Sequence, residues 1–355
     1  MANVLDLRRR IRSVKNTRQI TKAMKMISAA KLRRAQERAV ASRPYAAMLA
    51  SVIGSLMRRV EIYGPRTGEL RHPLLLSRAE KKIALVVVTG DKGFAGAFNG
   101  NIFKAVLRFL ADKSDKEIDI LAVGRKGRDL FRRRYGAAKF VADGAPPQAR
   151  RRAERAAPIE VSGDFPGLLD QLSIERVAEM SREIVRAYSH LEIDAAYLVY
   201  NEFKSVISQR VVVERVLPII EPGRPEIAQA RGMELEERQR AGRAAMTSGV
   251  SVREPDTEEA EAEARKFGTA EVDYIYEQPP PELLDGLLRQ YVTSQLYHAM
   301  VESVAAEHAA RMTAMDSATN NASEMIDLLT LTMNRVRQAA ITKEIIEIVS
   351  GAAAL

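Results

Sequence analysis

The sequence predicts an α/β protein with additional long helices: an antiparallel two-helix coiled coil of the chain ends, with a doubly wound, Rossmann-like α/β domain inserted between them. Three observations support this prediction. Each end of the 355-residue chain carries a long helical pattern, β-branched runs alternate with helical segments in the middle, and the length exceeds what one compact core usually organises.

Residues 1–60 are predicted to form the first long helix. Its apolar residues begin at 3-4-3 spacing, the seam of a two-stranded coiled coil, at Val4, Leu7, Ile11 and Val14. Pro44 interrupts this pattern and is expected to bend the helix, because proline removes one backbone hydrogen bond.

Residues 282–355 are predicted to form the second long helix. Three prolines, 279–281, stop the preceding segment, and Gly351 ends the helix. The apolar stripe of this helix includes Leu284, Tyr291, Met312 and Ile326. Two helices at opposite ends of one chain pair only if the middle brings them together, which favours an antiparallel pair.

The middle of the chain, residues 61–217, is predicted to form the α/β domain. Apolar, β-branched runs of the kind found in buried parallel strands occupy 83–89, 118–124, 194–201 and 209–218. Helical patterns occupy 98–112, 125–135 and 173–190.

Three stretches of the middle do not fit this alternation. Residues 143–160 are rich in Pro and Arg and are predicted to form a loop. Residues 218–272 are predicted to be an acidic, partly helical and solvated insertion, since 254–264 (EPDTEEAEAEA) holds six acids and no base. Residues 273–281 are expected to connect this insertion to the last helix.

Positive charge is concentrated on the first helix. Residues 8–38 contain twelve basic residues and one acidic residue, Glu37, for a net charge of +11. Such a helix either faces an acidic partner, which could be nucleic acid, anionic lipid or an acidic protein, or is simply solvated. Nucleic acid is disfavoured because no aromatic residues alternate with the cations for base stacking. The first residues lack the apolar core of a secretory signal, so they are expected to belong to the mature chain.

Composition excludes several chemistries. The chain has no cysteine, so it has no disulfide, thiolate nucleophile or cysteine-ligated metal, and its four histidines are scattered. No apolar run approaches the ~18 residues of a membrane-spanning helix. No acid/base pair with catalytic spacing is visible, and no cofactor or metal is expected.

One glycine-rich loop follows a predicted strand, at residues 89–99 (TGDKGFAGAFN). It could be a phosphate cradle of a nucleotide-binding enzyme or a tight strand-to-helix turn. Its G-x-x-G-x-x-G spacing fits neither common phosphate-binding motif, because Lys92 is followed by Gly93 rather than Ser or Thr. The turn is therefore the favoured interpretation.

Five segments resemble the gamma subunit of bacterial rotary ATP synthases. They are SVKNTRQITKAMKMISAAKLRRAQ (13–36), ASRPYAAM (41–48), the loop 89–99, residues 273–315 and ITKEIIEIVSGAAAL (341–355), in the same order. The resemblance implies a non-catalytic rotor shaft, one copy per complex, inside the alpha3-beta3 head. It also implies contacts with the epsilon subunit and the membrane c-subunit ring, coupling of proton flow to ATP synthesis, and a peripheral position on the cytoplasmic side of the cell inner membrane.

The resemblance also implies contact residues. Positions that match head-ring contacts are Lys22, Met24, Lys25, Arg311, Gln338, Thr342 and Glu347. Tyr274 and Tyr276 match the foot, where the shaft meets the membrane ring and the epsilon subunit.

The chain departs from the family pattern at two places. Ala95 stands where cysteine is common, and residues 221–270 exceed the short connection of most bacterial members. An excess at this position suggests either an inert loop or a segment that restrains reverse rotation.

Overall fold

The computed structural model describes residues 4–59, 72–139, 155–252 and 277–352. Its two longest elements are α1 (Val4–Arg59) and α6 (Pro280–Ala352). Thr319 Oγ1 donates a hydrogen bond to Thr21 Oγ1 at 2.8 Å, and Ser42 Oγ lies 3.5 Å from His298 Nδ1. Residue numbers in α6 therefore decrease as those of their contacts in α1 increase. The two helices run antiparallel, and the predicted helix pair is confirmed.

α1 is one continuous helix through Pro44. Proline removes a single N–H donor, and the packing of this part of α1 compensates for that loss. Leu49, Ile53 and Leu56 of the following turns are buried in the same core as Leu288 and Val292 of α6.

Between the long helices lies one six-stranded sheet. Its strands are β1 (Lys82–Val88), β2 (Glu117–Val123), β3 (Ile159–Phe165), β4 (Ala195–Ser205), β5 (Ser208–Leu217) and β6 (Glu226–Gly232). The spatial order is β3-β2-β1-β4-β5-β6. β1 pairs in parallel with β2 and β4, and β2 pairs in parallel with β3, whereas β5 and β6 continue the sheet antiparallel.

Helices cover both faces of this sheet. The shorter helices are α2 (Phe98–Asp112), α3 (Arg125–Tyr135), α4 (Ile174–Ser189) and α5 (Leu235–Met246), and a 3₁₀ turn spans Pro73–Leu75. Alternate residues of β1 enter two separate cores. Val86 packs with α4 and α6, whereas Leu85 packs with α2, α3 and α5. The strand is buried on both faces, which explains its unbroken apolar sequence and confirms the doubly wound prediction.

Two strands correct the sequence interpretation. β3 begins inside the stretch predicted as the loop 143–160, and β6 lies inside the stretch predicted as a solvated insertion, 218–272. The sheet therefore does not end at residue 217. β6 is almost wholly exposed and is held by backbone pairing with β5, so its sequence needs no apolar alternation. α5, in the same stretch, agrees with the helical part of that prediction.

Candidate functional site

The basic surface of α1 is mostly open to solvent. Its ten exposed cations are Arg8, Arg9, Arg10, Arg12, Lys15, Lys22, Lys31, Arg33, Arg34 and Arg38. Among the described residues, Arg9 lies 3.8 Å from Asp6, and Arg33 donates to the Gly249 carbonyl at 3.2 Å. Because exposed like charges repel one another, this surface is suited to an acidic partner.

Lys25 does not belong to that exposed surface. Its ammonium lies 2.7 Å from Asp316 Oδ1 and donates to Thr247 Oγ1 at 2.7 Å. The side chains of Lys25 and Asp316 are 9% and 14% exposed. Lys25, predicted as a head-ring contact, is instead paired inside the chain, where it joins α1, α6 and the segment after α5.

Met24 and Arg311 line one cleft of about 450 Å³. Its wall also includes Lys31, Phe94, Asp170 and His308. The sequence placed Met24 and Arg311 on different helices 287 positions apart, and the antiparallel pairing brings them together. We call this the Met24 cleft.

Arg311 is fixed from two sides. Its Nη2 pairs with Glu307 Oε1, and its Nε donates to the Gly93 carbonyl at 3.3 Å. Burial raises the pKa of Glu307, while Arg311 opposes that shift. The guanidinium therefore lies at the base of the glycine-rich loop with an orientation set by its own chain.

His308 contributes no charge to this cleft at neutral pH. Burial and the adjacent Arg311 lower its pKa to about 4. The polar wall of the cleft at neutral pH is thus formed by fixed lysine, arginine and carboxylate charges rather than by a titrating imidazole.

Phe94 forms the exposed rim of the Met24 cleft. Its side chain is 73% exposed, and its backbone has a φ of 63°, in the left-handed region. The sequence interpretation did not single out Phe94. The available signal was a large aromatic residue inside a glycine-rich loop, where a side chain cannot be covered by the loop itself.

The first half of this loop, before Phe94, is built as a turn that holds the start of α3. Asp91 Oδ1 accepts hydrogen bonds from the backbone of Arg125 at 3.0 Å and of Gly167 at 2.8 Å. A carboxylate therefore already occupies the start of α3, where a phosphate would gain from the helix dipole. Gly124 has a φ of +87°, and a Cβ there would lie 2.0 Å from the Thr89 carbonyl oxygen. This close contact packs the turns after β1 and β2 together.

The remaining predicted contacts lie at the far end of α6. Gln338, Thr342 and Glu347 are all exposed, and Thr342 Oγ1 donates to the Gln338 carbonyl at 3.0 Å. They are separated from Arg311 by at least 27 residues of helix, or about 40 Å at ~1.5 Å per residue. They therefore form a second contact zone, separate from the Met24 cleft.

This end of α6 extends beyond α1. The pairing of Thr21 with Thr319 places the start of α1 near position 336 of α6. Beyond that point an apolar surface is uncovered, comprising Ile341, Ile345, Ile346, Ile348 and Val349. Ile345 is 54% exposed because α1 does not reach it.

Tyr274 and Tyr276 lie outside the residues that the structure describes. Within the described ranges, no group of His, Asp and Glu could hold a metal ion, and no helix is both long and apolar enough to cross a membrane.

Comparison with known proteins links this architecture to a family. A family profile described as ATP synthase matches residues 3–355. The chain is similar to the ATP synthase gamma chain of Solibacter usitatus, with 46% identity over 354 residues, 100% of this chain and 99% of that protein. It is also similar to the gamma chains of Anaeromyxobacter sp. strain Fw109-5 (40%) and Pelotomaculum thermopropionicum (39%), each covered at 100% on both sides.

A solved structure shares the fold. A chain of the cryo-EM structure of the Tetrahymena thermophila mitochondrial ATP synthase central stalk and c-ring matches with a TM-score of 0.50 at 20% identity. The match covers 84% of this chain and 99% of that chain. At this identity the likeness concerns the fold only.

Proposed function

This chain belongs to the ATP synthase gamma chain family, and we propose that it is the non-catalytic rotor of the central stalk, coupling proton flow through the membrane ring to ATP synthesis and hydrolysis in the head. The observation that supports this most directly is the antiparallel pair of α1 and α6, joined across the chain by Lys25 and Asp316. A shaft that transmits torque must be long and stiff, and two packed helices are stiffer than one.

The two contact zones suit different parts of the head. The free end of α6, with its uncovered apolar surface, fits a sleeve made by the alpha3-beta3 subunits. The basic surface of α1 and the Met24 cleft fit acidic loops of the catalytic subunits. Rotation then presents different contacts to each catalytic site and shifts its population between open and closed states.

The other assignments follow from this role. The chain carries out no bond chemistry itself, is present once per complex, and contacts the epsilon subunit and the c-subunit ring at its foot. Tyr274 and Tyr276 are proposed foot contacts, and Gln338, Thr342 and Glu347 are proposed head contacts. The protein is then peripheral to the inner membrane, on the cytoplasmic side. Nucleic acid is not a proposed partner.

Co-expression tests this function. The chain is produced with the alpha and beta subunits of its own complex, and the assembly is purified and assayed for ATP hydrolysis. We expect one copy per assembly and ATPase activity that depends on its presence. Failure to co-purify, or equal activity without the chain, would contradict the proposal.

Met24→Lys is expected to uncouple the complex without unfolding the chain. The new cation would lie in the same cleft as Lys31 and Arg311, and its repulsion would alter the contact with the head. We expect ATP-driven proton pumping per ATP hydrolysed to fall about fivefold or more. The matched control is Met26→Lys, which adds the same charge two residues away at a 51% exposed position outside the cleft. Equal pumping by wild type and Met24→Lys would contradict the role of the cleft.

The substitution Ile345→Asp tests whether Ile345 contributes to assembly with the head rather than to folding of the chain. Because Ile345 is exposed and has no α1 partner, we expect the melting temperature of the isolated chain to stay unchanged. Assembly with the head should weaken at least about tenfold, since the carboxylate would be buried against an apolar sleeve. Ala340→Asp, on the opposite side of α6, serves as the control. A lowered melting temperature of the isolated Ile345→Asp chain would show that this part of α6 is packed within the chain.

A further inference from the structure

A second cleft lies among α2, the sheet edge, α5 and α6. Its volume is about 420 Å³, within the range of small-molecule sites, and it shares no lining residue with the Met24 cleft. The first turn of α2, strands β4 to β6, the first half of α5 and residues 310–317 of α6 all contribute to its wall. β6 and α5 come from the stretch that the sequence suggested to be an insertion, so this cleft exists only because that stretch is folded.

Asn201 of β4 faces this cleft with no hydrogen-bond partner for its side chain. The residue is only 6% exposed, and no other described residue hydrogen-bonds its amide group. The amide group is not sealed off by protein: it stays open to the cleft, where a ligand can hydrogen-bond to it.

The charges around Asn201 favour an anion. The lining residues include four cations, Lys104, Arg210, Arg231 and Arg240, and two carboxylates, Glu234 and Glu237. Lys104 has no ion-pair partner among the described residues. Arg210 lines the cleft, but its guanidinium hydrogen-bonds to Glu202, which alternates with Asn201 along β4 and lies on the other face of the sheet. Lys104, Arg231 and Arg240 are therefore the cations that can face a ligand.

The two remaining arginines can change partners easily. Arg231 pairs with Glu234 at 3.0 Å and Arg240 pairs with Glu236 at 3.2 Å, and all four side chains are more than half exposed. Exposed ion pairs of this kind are weak, so a ligand anion can compete for both guanidinium groups.

The start of α2 adds a further attraction. The helix is 15 residues long, its N-cap is Ala97, and no side chain caps its first turn. Ala97, Phe98 and Asn101 of this turn line the cleft. The positive end of the helix dipole therefore faces the same space as the cations.

We propose that this cleft binds a compact, phosphate-bearing small molecule. Arginine forks, a lysine, a neutral amide and a helix N-terminus are the donor set that phosphate groups prefer. Phe98 is the one aromatic residue in the wall, and it is 4% exposed and packed in the core, so no ring is available to stack on a nucleobase. The ligand is therefore a non-nucleotide phosphate. This site is independent of the proposed rotor function.

Inorganic pyrophosphate is the probe. It is titrated into the purified full-length chain by calorimetry without divalent cations, at fixed ionic strength, with sulfate titrated in parallel. We expect saturable 1:1 binding of pyrophosphate that is tighter than that of sulfate. Lys104→Ala should weaken the dissociation constant about fivefold or more, because it removes a charge-assisted hydrogen bond.

Two variants make the result specific. Arg108→Ala removes one charge from an exposed position on the same helix, outside the cleft, and should change the dissociation constant less than about twofold. Asn201→Leu should weaken pyrophosphate binding while circular dichroism stays unchanged. No binding at millimolar pyrophosphate, or equal weakening by Lys104→Ala and Arg108→Ala, would overturn the proposal.

Discussion

Lys25→Met is expected to lower the free energy of unfolding of the chain by about 3–5 kcal/mol, although it replaces one long side chain by another. Within the described ranges, the ammonium of Lys25 is the only cation within 4 Å of Asp316, whose side chain is 14% exposed. Removing the cation leaves a largely buried carboxylate without compensation, and Thr247 Oγ1 also loses the donor it accepts from.

Urea unfolding of the variant and of two controls measures this effect. Lys22→Met removes the same charge three residues earlier, at an exposed position, and should change stability by less than about 0.5 kcal/mol. Lys25→Met combined with Asp316→Leu should regain most of the loss, because a well-packed apolar pair replaces the buried ion pair. If Lys25→Met were as stable as Lys22→Met, the buried pair would not hold these helices together.

This pair also bears on the proposed rotor function. Lys25 lies one residue from Met24, and its bonds join α1, α6 and the segment after α5 at one level of the shaft. The segment following β5 is thus packed against the helix pair at Thr247. A restraint on rotation by this segment would act through the contact of Thr247 with Lys25. Whether that segment restrains reverse rotation stays a prediction.

The sequence revealed most of the fold because most of its elements are buried. β1, β2, β4 and β5 have long runs of buried residues, and such strands must be continuously apolar. β3 and β6 lie at the two edges of the sheet and are largely half-buried or exposed. An edge strand is held by backbone hydrogen bonds, which leave little trace in residue type, so both were missed.

The site was harder to predict, because its contacts span the chain. The partners of Lys25 lie 222 and 291 positions away, and no spacing pattern on α1 distinguishes Lys25 from its exposed neighbour Lys22. Both lysines were therefore predicted to face the head. The pairing of Met24 with Arg311 in one cleft likewise depends on the register of α1 against α6, which only the structure defines.

A buried carboxylate, Glu214, makes the fold sensitive to pH. It lies in β5, 6% exposed, and accepts a hydrogen bond from Tyr200 Oη at 3.0 Å. The other ionisable groups that act on it are His298 and Glu302 of α6 and Glu202 of β4. Burial raises its pKa from 4.5 to about 7, against the opposing effects of Tyr200 and His298.

The direction of the effect follows from proton binding. Between pH 4.5 and 7 the folded chain keeps a proton on Glu214 that the unfolded chain releases, so this group's contribution to stability falls as pH rises through that window. Three histidines also have shifted pKa values, and burial lowers that of His72, as it does for His308. Burial lowers the pKa of His298, but Glu302 raises it more, so its net shift acts in the same direction as Glu214. His308, with a pKa of about 4, acts in the opposite direction. Its contribution to the stability of the folded chain is lost as pH falls from 6.5 to 4.

The substitution Glu214→Gln measures how much Glu214 contributes to the pH dependence of stability. Glutamine mimics the protonated carboxyl and can still accept from Tyr200, so the variant should match wild type near pH 4.5 and exceed it at pH 8 by about 3 kcal/mol. The difference between the two proteins, measured by urea unfolding at intervals of pH, cancels the contribution of His308, which both retain. His298 adds to the difference, because the charge of Glu214 raises its pKa. Glu324→Gln makes the same replacement at an exposed position of α6 and serves as the control. A pH-independent difference for Glu214→Gln would mean that the carboxyl is ionised in the folded chain throughout, and that the sheet and α6 enclose a stable negative charge between them.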